Sequence, residues 1–266
     1  MSGGLAAQIQ AQVKAAEDYA RTVPRINLEN DGRLVVYRAA SKVAALRVLS
    51  LFSKEPETIA WIAGMDADSV LYDVGANMGL YTIWAAVTRD ATVYAFEPEA
   101  GSYAMLCGNI FDNRIAGRVR AYCLGVSDTA GIGEILLSST DAATSGHQVS
   151  VAKAGPTPAW TDEFPQGVVT RTLDGLVYDD GLPCPTHIKI DVDGLEPAIV
   201  QGATRLLADR RLRSVLLELD LKSEQHRDTM NAITAVGFER DEDSFQALLR
   251  KTTGGNALVG NIIFSR

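Results

Sequence analysis

The segment Asp73-Val74-Gly75-Ala76-Asn77-Met78-Gly79 constrains this chain more than any other part of it. It follows a short apolar run, 70–74, and leads directly into a stretch with helical periodicity, 80–88. Glycines at 75 and 79 let the backbone turn tightly and let a ligand approach the main chain. Strand, glycine-bearing turn and helix in that order are the opening unit of a ligand-binding α/β sheet. About twenty residues further on, where such sheets carry an acidic group for a ribose, the next apolar run ends in Phe96-Glu97-Pro98. Glu97 is therefore set either to accept hydrogen bonds from two ribose hydroxyls or to cap the helix beginning near 99.

The loop reads D-x-G-x-N-x-G, not the G-x-G-x-x-G of dinucleotide folds. A carboxylate at Asp73 repels a pyrophosphate and attracts an ammonium group. S-adenosylmethionine carries a sulfonium, an amino acid end and a ribose, and no phosphate. The loop favours it over NAD, which argues against a nucleotide-dependent oxidoreductase.

The alternation continues beyond the loop. Strands are expected at 92–96, 119–124, 188–191 and 214–219, and helices at 99–113, 195–207 and 223–236. Runs that are apolar throughout imply a parallel sheet covered on both faces. Residues 130–172, rich in Gly, Ser, Thr and Pro, break the rhythm and read as hairpin and loop. The end reads as an antiparallel pair, 245–250 with 258–264, joined around Gly254-Gly255. Before the sheet, 4–22 has helical spacing through Leu5, Ile9, Val13 and Ala16, Asn30-Asp31-Gly32 suggests a hairpin within 25–38, and helices follow over 40–52 and 55–64. The expected organisation is an α-rich cap over 1–66 and a ligand-binding domain over 67–266, in a Rossmann-like fold with a seven-stranded, mostly parallel sheet and an antiparallel C-terminal strand.

With 266 residues, the chain is long enough for a sizeable core without disulfide or metal staples. Its net charge of −8 argues against a protein built to grip nucleic acid phosphates. No apolar run reaches the ~20 residues that span a bilayer, so no membrane partner is expected. Three cysteines without C-x-x-C spacing and a start lacking the signal-peptide pattern lead to an expected cytoplasmic location. The N-terminal cap offers a surface for homo-oligomerisation.

The chain resembles the FkbM family of S-adenosylmethionine-dependent methyltransferases. The resemblance rests on Lys54-Glu55-Pro56-Glu57-Thr58 with Trp61, Asp73–Gly79, Phe96-Glu97-Pro98, Thr172-Leu173-Asp174, and the run Ile188-Lys189-Ile190-Asp191-Val192-Asp193-Gly194-Leu195-Glu196. It spans about 54–220, and departs from the family at Asp193, where Glu is more frequent. It implies a class I methyltransferase fold, with Asp73, Gly75, Asn77 and Gly79 cradling the methionine portion and Glu97 and Pro98 at the ribose. It further implies polar contacts from Ser127 and Asp128 to the adenine amino group, although these two equally suit a plain turn. Tyr81, in the first turn after the loop, is either a cofactor contact or a packing group.

Lys189 lies inside an apolar run, so its ammonium must be paired or reach a wet cleft. Residues 189 and 191 share a face of the strand. Asp191 ends that strand, where open α/β sheets bind ligands, and Glu218 ends the next. The three form either a satisfied ion network or the acceptor site; Asp191 and Glu218 are the candidate catalytic carboxylates, with Asp191 also bordering the cofactor. His147, in the irregular 140–170 segment, is a further candidate base or a surface residue. His187 reads as structural, and His226 as a residue near the cleft. Asp193 and Glu196 complement a helix start; with Asp191 they also suit a divalent metal, a possibility not favoured over none. The resulting expectation is O-methylation of a hydroxyl on a sugar or natural-product small molecule. N-methylation and a non-catalytic cofactor-binding module are the alternatives.

Overall fold

The computed structural model describes residues 2–137, 143, 148–150, 164–251 and 258–266. Helix α1 (Ser2–Thr22) precedes a hairpin of β1 (Arg25–Asn30) and β2 (Arg33–Arg38), which turns through Asp31 and Gly32, both at positive φ. Three short helices follow: α2 (Lys42–Leu49), α3 (Leu51–Lys54) and α4 (Pro56–Ala63). The alternating part begins with β3 (Val70–Val74), α5 (Leu80–Thr88), β4 (Thr92–Phe96), α6 (Ala100–Asp112) and β5 (Val119–Tyr122). Then come β6 (Gly125–Val126), β7 (Gly131–Leu137), β8 (Gln148–Ser150), β9 (Phe164–Arg171) and α7 (Leu173–Tyr178). The chain finishes with β10 (His187–Ile190), α8 (Glu196–Gln201), α9 (Thr204–Ala208), β11 (Ser214–Asp220), α10 (Glu224–Ala235), β12 (Glu239–Arg240), α11 (Glu242–Lys251) and β13 (Val259–Ser265).

The main sheet has seven strands in the order β12-β13-β11-β10-β3-β4-β5, parallel from β11 to β5, with β13 antiparallel to both its neighbours. This is the expected mostly parallel sheet with an antiparallel C-terminal strand. Strand order reverses between β3 and β10, the switch point at which open α/β sheets bind ligands. A smaller sheet, β6-β9-β7-β8, stands beside it and occupies part of the segment read as hairpin and loop.

Alternation along the strands divides the core in two. Tyr72, Val74, Phe96, Ile188, Ile190 and Leu217 face a cluster with α7, α8 and α9. Leu71, Val93 and Ala95 face the other cluster, under α5 and α6, which also takes in Val35, Tyr37, Val48, Leu51 and Ile62. The hairpin and the helices α2 to α4 thus share a core with the sheet. By contrast, Leu5, Ile9 and Val13 of α1 are exposed.

Two local expectations are corrected. Residues 245–250 form part of α11, not a strand; the partners of β13 are β11 and β12. Asp241 accepts from the Ser244 amide at 2.7 Å, starting the helix, and Phe245 and Leu248, three apart, turn to the core. The helix expected over 195–207 is two short ones, α8 and α9, broken at Gly202. A side chain there would lie 2.4 Å from the Ser127 carbonyl oxygen, so the segment bends where it must pass close to another backbone.

Tyr37 joins the front of the chain to the sheet. Its ring is fully buried and its hydroxyl donates to the Leu80 carbonyl at 2.7 Å, in the first turn of α5. Tyr37→Phe removes that second bond to a carbonyl already engaged in the helix, and is expected to lower stability by about 0.5–1.5 kcal/mol. Urea unfolding followed by fluorescence and by circular dichroism should show one coincident transition that shifts as a unit. Separate transitions for the two probes would mean that residues 1–66 fold apart from the sheet.

Candidate active site

A cleft opens at the carboxyl ends of β3, β4, β10 and β11. Its walls include Val74, Gly75, Asn77, Phe96, Glu97, Pro98, Val126, Ile135, Asp191, Leu195 and Glu218. A smaller recess continues beneath the glycine loop, bounded by Arg47, Lys54, Glu55, Asp73, Tyr81, Lys189 and Asp191.

The loop that divides them is held from within. Gly75 and Ala76 donate their amides to the Phe96 carbonyl at 3.0 and 3.1 Å, and Gly79 donates to the Ala76 carbonyl at 2.8 Å. The Asn77 amide donates to Glu97 Oε2 at 2.7 Å, and the Met78 amide to Asn77 Oδ1 at 2.8 Å. No loop amide is left to meet a phosphate, in contrast to loops that cradle pyrophosphate. Gly75 sits at φ +79°, and a Cβ on it would lie 2.1 Å from the Asp191 carbonyl oxygen. The glycine therefore lets β3 and β10 close together; the space it keeps free belongs to the protein backbone rather than to a ligand, as the sequence had suggested.

Glu97 is buried, and its other oxygen accepts the Glu99 amide at 2.8 Å. It is not the helix cap: Glu99 caps α6, accepting from the amides of Gly101 and Ser102. Burial pushes the Glu97 carboxyl up to about 7, against the two amides that favour its charge. Each oxygen keeps lone-pair capacity toward the cleft.

Period-two alternation puts a second set of charges on one sheet face. Lys189 stands opposite Asp73 in the β10–β3 register and opposite Leu216 in the β10–β11 register, so Asp73, Lys189, Asp191 and Glu218 all point to the side covered by α5. The Lys189 ammonium is buried and donates to Asp191 Oδ2 at 2.6 Å, 4.9 Å from the centre of the Tyr81 ring. Burial alone would lower its pKa, but Asp191, Asp73 and Glu55 outweigh that and raise it. Asp73 accepts from the Thr82 hydroxyl at 2.5 Å, and its Oδ1 is buried with no partner. Burial raises the Asp73 pKa, while Lys189 and Thr82 act to lower it. Glu55 accepts from the Tyr81 hydroxyl at 2.6 Å and pairs with Lys54 at 2.7 Å. Burial pushes Glu55 up, yet Lys189, Lys54 and Tyr81 together hold it at about 2.

Glu218 lines the cleft one strand further on, with no hydrogen-bond partner among the described residues. Burial first, and then Asp191 and Glu55, push its carboxyl up to about 8 against Lys189 and Lys54. Two carboxylates thus border the cleft in different states: Asp191 is pinned to a lysine, and Glu218 is unpinned.

Of the other residues singled out in the sequence, Gly79 takes φ +84° and starts α5, and Pro98 lines the cleft. Ser127 and Asp128 bond to each other at 3.1 Å and lie just beyond the lining residues Gly125 and Val126. His147 lies outside the described residues. His187 Nδ1 shares a hydrogen bond with the Ser214 hydroxyl at 2.7 Å, against Trp61 at the opposite end of the sheet. His226 is also away from the cleft lining; its Nδ1 accepts the Asp220 amide, and its Nε2 is 3.9 Å from Glu196. Glu196 accepts the Val192 amide at 3.1 Å and so braces the turn after Asp191. Asp193 lines the cleft, but no group of three or more His, Cys, Asp or Glu side chains among the described residues is arranged to hold a metal ion. Sequence reasoning missed Arg47 and the cleft-lining position of Lys54. Lys54 lay within a quoted motif, and nothing in the sequence distinguished Arg47 from a solvated helix residue.

These groups fit an adenosine-bearing zwitterion. Phe96, Val126, Ile135 and Leu195 offer apolar cover for a base, Glu97 has acceptor capacity for ribose hydroxyls, and the unpartnered Asp73 oxygen suits an ammonium. Residues 73–240 match the Methyltransferase FkbM domain family. The chain is 30% identical over 143 residues to the hexuronic acid methyltransferase AglP of Haloferax volcanii, covering 53% of each. It is 36% identical over 174 residues to the 31-O-demethyl-FK506 methyltransferase FkbM of Streptomyces tacrolimicus, covering 56% of this chain and 65% of that one. It therefore spans between 53% and 65% of the length of these curated relatives. Among solved structures, methyltransferase FkbM from Methylobacillus flagellatus KT superposes with a TM-score of 0.48 at 15% identity, covering 85% of this chain and 56% of that one.

Gly75→Ala is expected to lower stability by about 1–3 kcal/mol, the range for a strained backbone position, because the new methyl meets the Asp191 backbone. Gly79→Ala is expected to cost less, since its methyl would meet the movable end of Leu106. Urea midpoints of the two variants give the comparison. Unchanged stability in Gly75→Ala would show that the loop can draw back from β10.

Proposed function

Because the chain belongs to the FkbM methyltransferase domain family, we propose that it is an S-adenosylmethionine-dependent O-methyltransferase acting on a hydroxyl of a sugar or natural-product small molecule. The observation that carries the cofactor reading is the loop itself. Its amides are all used internally and its acidic residue keeps an unpartnered oxygen, which suits a cationic ligand end and disfavours a phosphate. The names of the two curated relatives, one a hexuronic acid methyltransferase and the other a methyltransferase of 31-O-demethyl-FK506, support a small-molecule acceptor.

When bound, S-adenosylmethionine supplies an electrophilic methyl group on a sulfonium sulfur. Glu97 accepts the ribose hydroxyls, Asp73 faces the ammonium of the amino acid end, and the apolar wall covers the base and keeps water out. Asp191, held in place by the hydrogen bond from Lys189, orients the acceptor hydroxyl at the carboxyl end of β10. Glu218 takes the proton that this hydroxyl must lose, a task suited to a base whose pKa lies near the working pH. Orientation of the acceptor supplies much of the remaining rate.

Calorimetry with S-adenosylhomocysteine and with NAD tests the cofactor reading. The first should bind at least about tenfold more tightly, a difference of about 1.4 kcal/mol, and comparable affinities would overturn the reading. The Glu97 pKa gives a second check. In the unliganded fold it is raised, so its contribution to stability is full below 4.5 and is lost as pH rises toward about 7. Ribose hydroxyls donate to the ionised form, so S-adenosylhomocysteine should bind more tightly as pH rises from 6 to 8. Glu97→Gln should weaken binding and flatten this dependence; a dependence that survives intact assigns it to another group.

An acceptor screen with labelled methyl donor tests the chemistry. Turnover should rise with pH through about 8 as Glu218 ionises. Glu218→Gln should remove this limb and lower turnover at least about tenfold, with S-adenosylhomocysteine affinity unchanged. Retention of the limb would exclude Glu218 as the base.

A further inference from the structure

The recess beneath the glycine loop is poor in main-chain donors. Every amide from Gly75 to Gly79 is spent on Phe96, Glu97, Asn77 or Ala76. A ligand that enters with an anionic end must therefore be met by a side-chain cation. Three border the recess, and two are engaged: Lys189 with Asp191 at 2.6 Å, and Lys54 with Glu55 at 2.7 Å. Arg47 differs. It is half-buried, and its Nε donates to the Ala143 carbonyl at 2.8 Å. Among the described residues its two terminal nitrogens meet no acceptor.

That single bond has a geometric consequence. Fixing Nε on a buried residue leaves the outer edge of the planar guanidinium as a two-donor fork, the arrangement that matches a carboxylate. Charge points the same way. Arg47, Lys54 and Lys189 are balanced by Glu55, Asp73 and Asp191, so the recess is neutral before a ligand arrives and suits one whose own charges cancel. On the anionic side of such a ligand stands Arg47; on the cationic side stands the unpartnered Asp73 oxygen.

We propose that Arg47 binds the α-carboxylate of the amino acid end of S-adenosylmethionine. The assignment rests on the cofactor reading above and adds to it the residue that recognises the amino acid end. Arg47 comes from α2, ahead of the region that matches the family, so the front of the chain supplies part of the cofactor site.

The test compares two adenosine ligands that differ in this group. S-adenosylhomocysteine carries the carboxylate, and 5′-methylthioadenosine lacks the whole amino acid end. Calorimetry is run with both on the wild type, Arg47→Met and Arg47→Lys. Arg47→Met should weaken S-adenosylhomocysteine binding at least about tenfold, or about 1.4 kcal/mol, and leave 5′-methylthioadenosine unchanged, which also certifies the fold. Arg47→Lys, which keeps the charge and loses the fork, should fall between. Equal losses for both ligands would overturn the proposal, because Arg47 would then act through the Ala143 contact on the whole cleft. No loss for either would also overturn it and turn the guanidinium toward the acceptor. Wild-type protein that binds neither ligand would overturn the cofactor reading, and this assignment with it.

Discussion

The Lys189 ammonium, shut away from water on the sheet face under α5, governs the charge of the groups around it. A buried cation persists only if carboxylates compensate it, and here Asp191, Asp73 and Glu55 do so from three separate parts of the chain. The arrangement follows from alternation in the sheet: the register that sets Lys189 opposite Asp73 also turns Asp191 and Glu218 to the same face. Removing the lysine alone would leave buried carboxylates uncompensated, a loss of about 3–5 kcal/mol in comparable cases. The carboxylates are held as a set, and the cleft is built over that set.

The set also ties the front of the chain to the sheet. Glu55 reaches it from the turn between α3 and α4, bonded to Tyr81 and paired with Lys54. Tyr37 and Leu51 pack into the same cluster as the strands, and Asn261 of β13 donates to Thr58 of α4 at 3.1 Å. Residues 42–63 therefore form one wall of the recess as well as a cover over the sheet. The wall carries Arg47, Lys54 and Glu55, and the floor, made by strand ends, carries Asp73, Lys189 and Asp191.

Much of this was legible in the sequence. The run 70–74, the loop and the helix at 80–88 announced themselves through glycine spacing and apolar periodicity, and Glu97 and Asp191 through their places at strand ends. Other features depend on distances that one dimension does not carry. Phe245, Leu248 and Leu249 read as an apolar run suited to a strand, but the Asp241 cap and inward turns three residues apart make a helix. Gly202 breaks a helix because it passes the backbone at Ser127, 75 residues away in sequence and in contact in space. Gly75 suggested room for a ligand, whereas the close neighbour is the Asp191 carbonyl. Arg47 carries no motif; the packing of α2 against the loop brings it to the recess.

The central claim is that the carboxyl end of the sheet, above the Lys189 cluster, receives the ligand. Hydrogen exchange read by mass spectrometry, with and without S-adenosylhomocysteine, tests it most directly. The account predicts slowed exchange in residues 74–79, 96–99 and 191–195, the three backbone segments that meet at the cleft. A groove at the opposite end of the sheet, lined by Trp61, His187, Arg213 and Arg266, serves as the internal comparison and should not change. Slowed exchange at that groove, with the three cleft segments unaffected, would contradict the account.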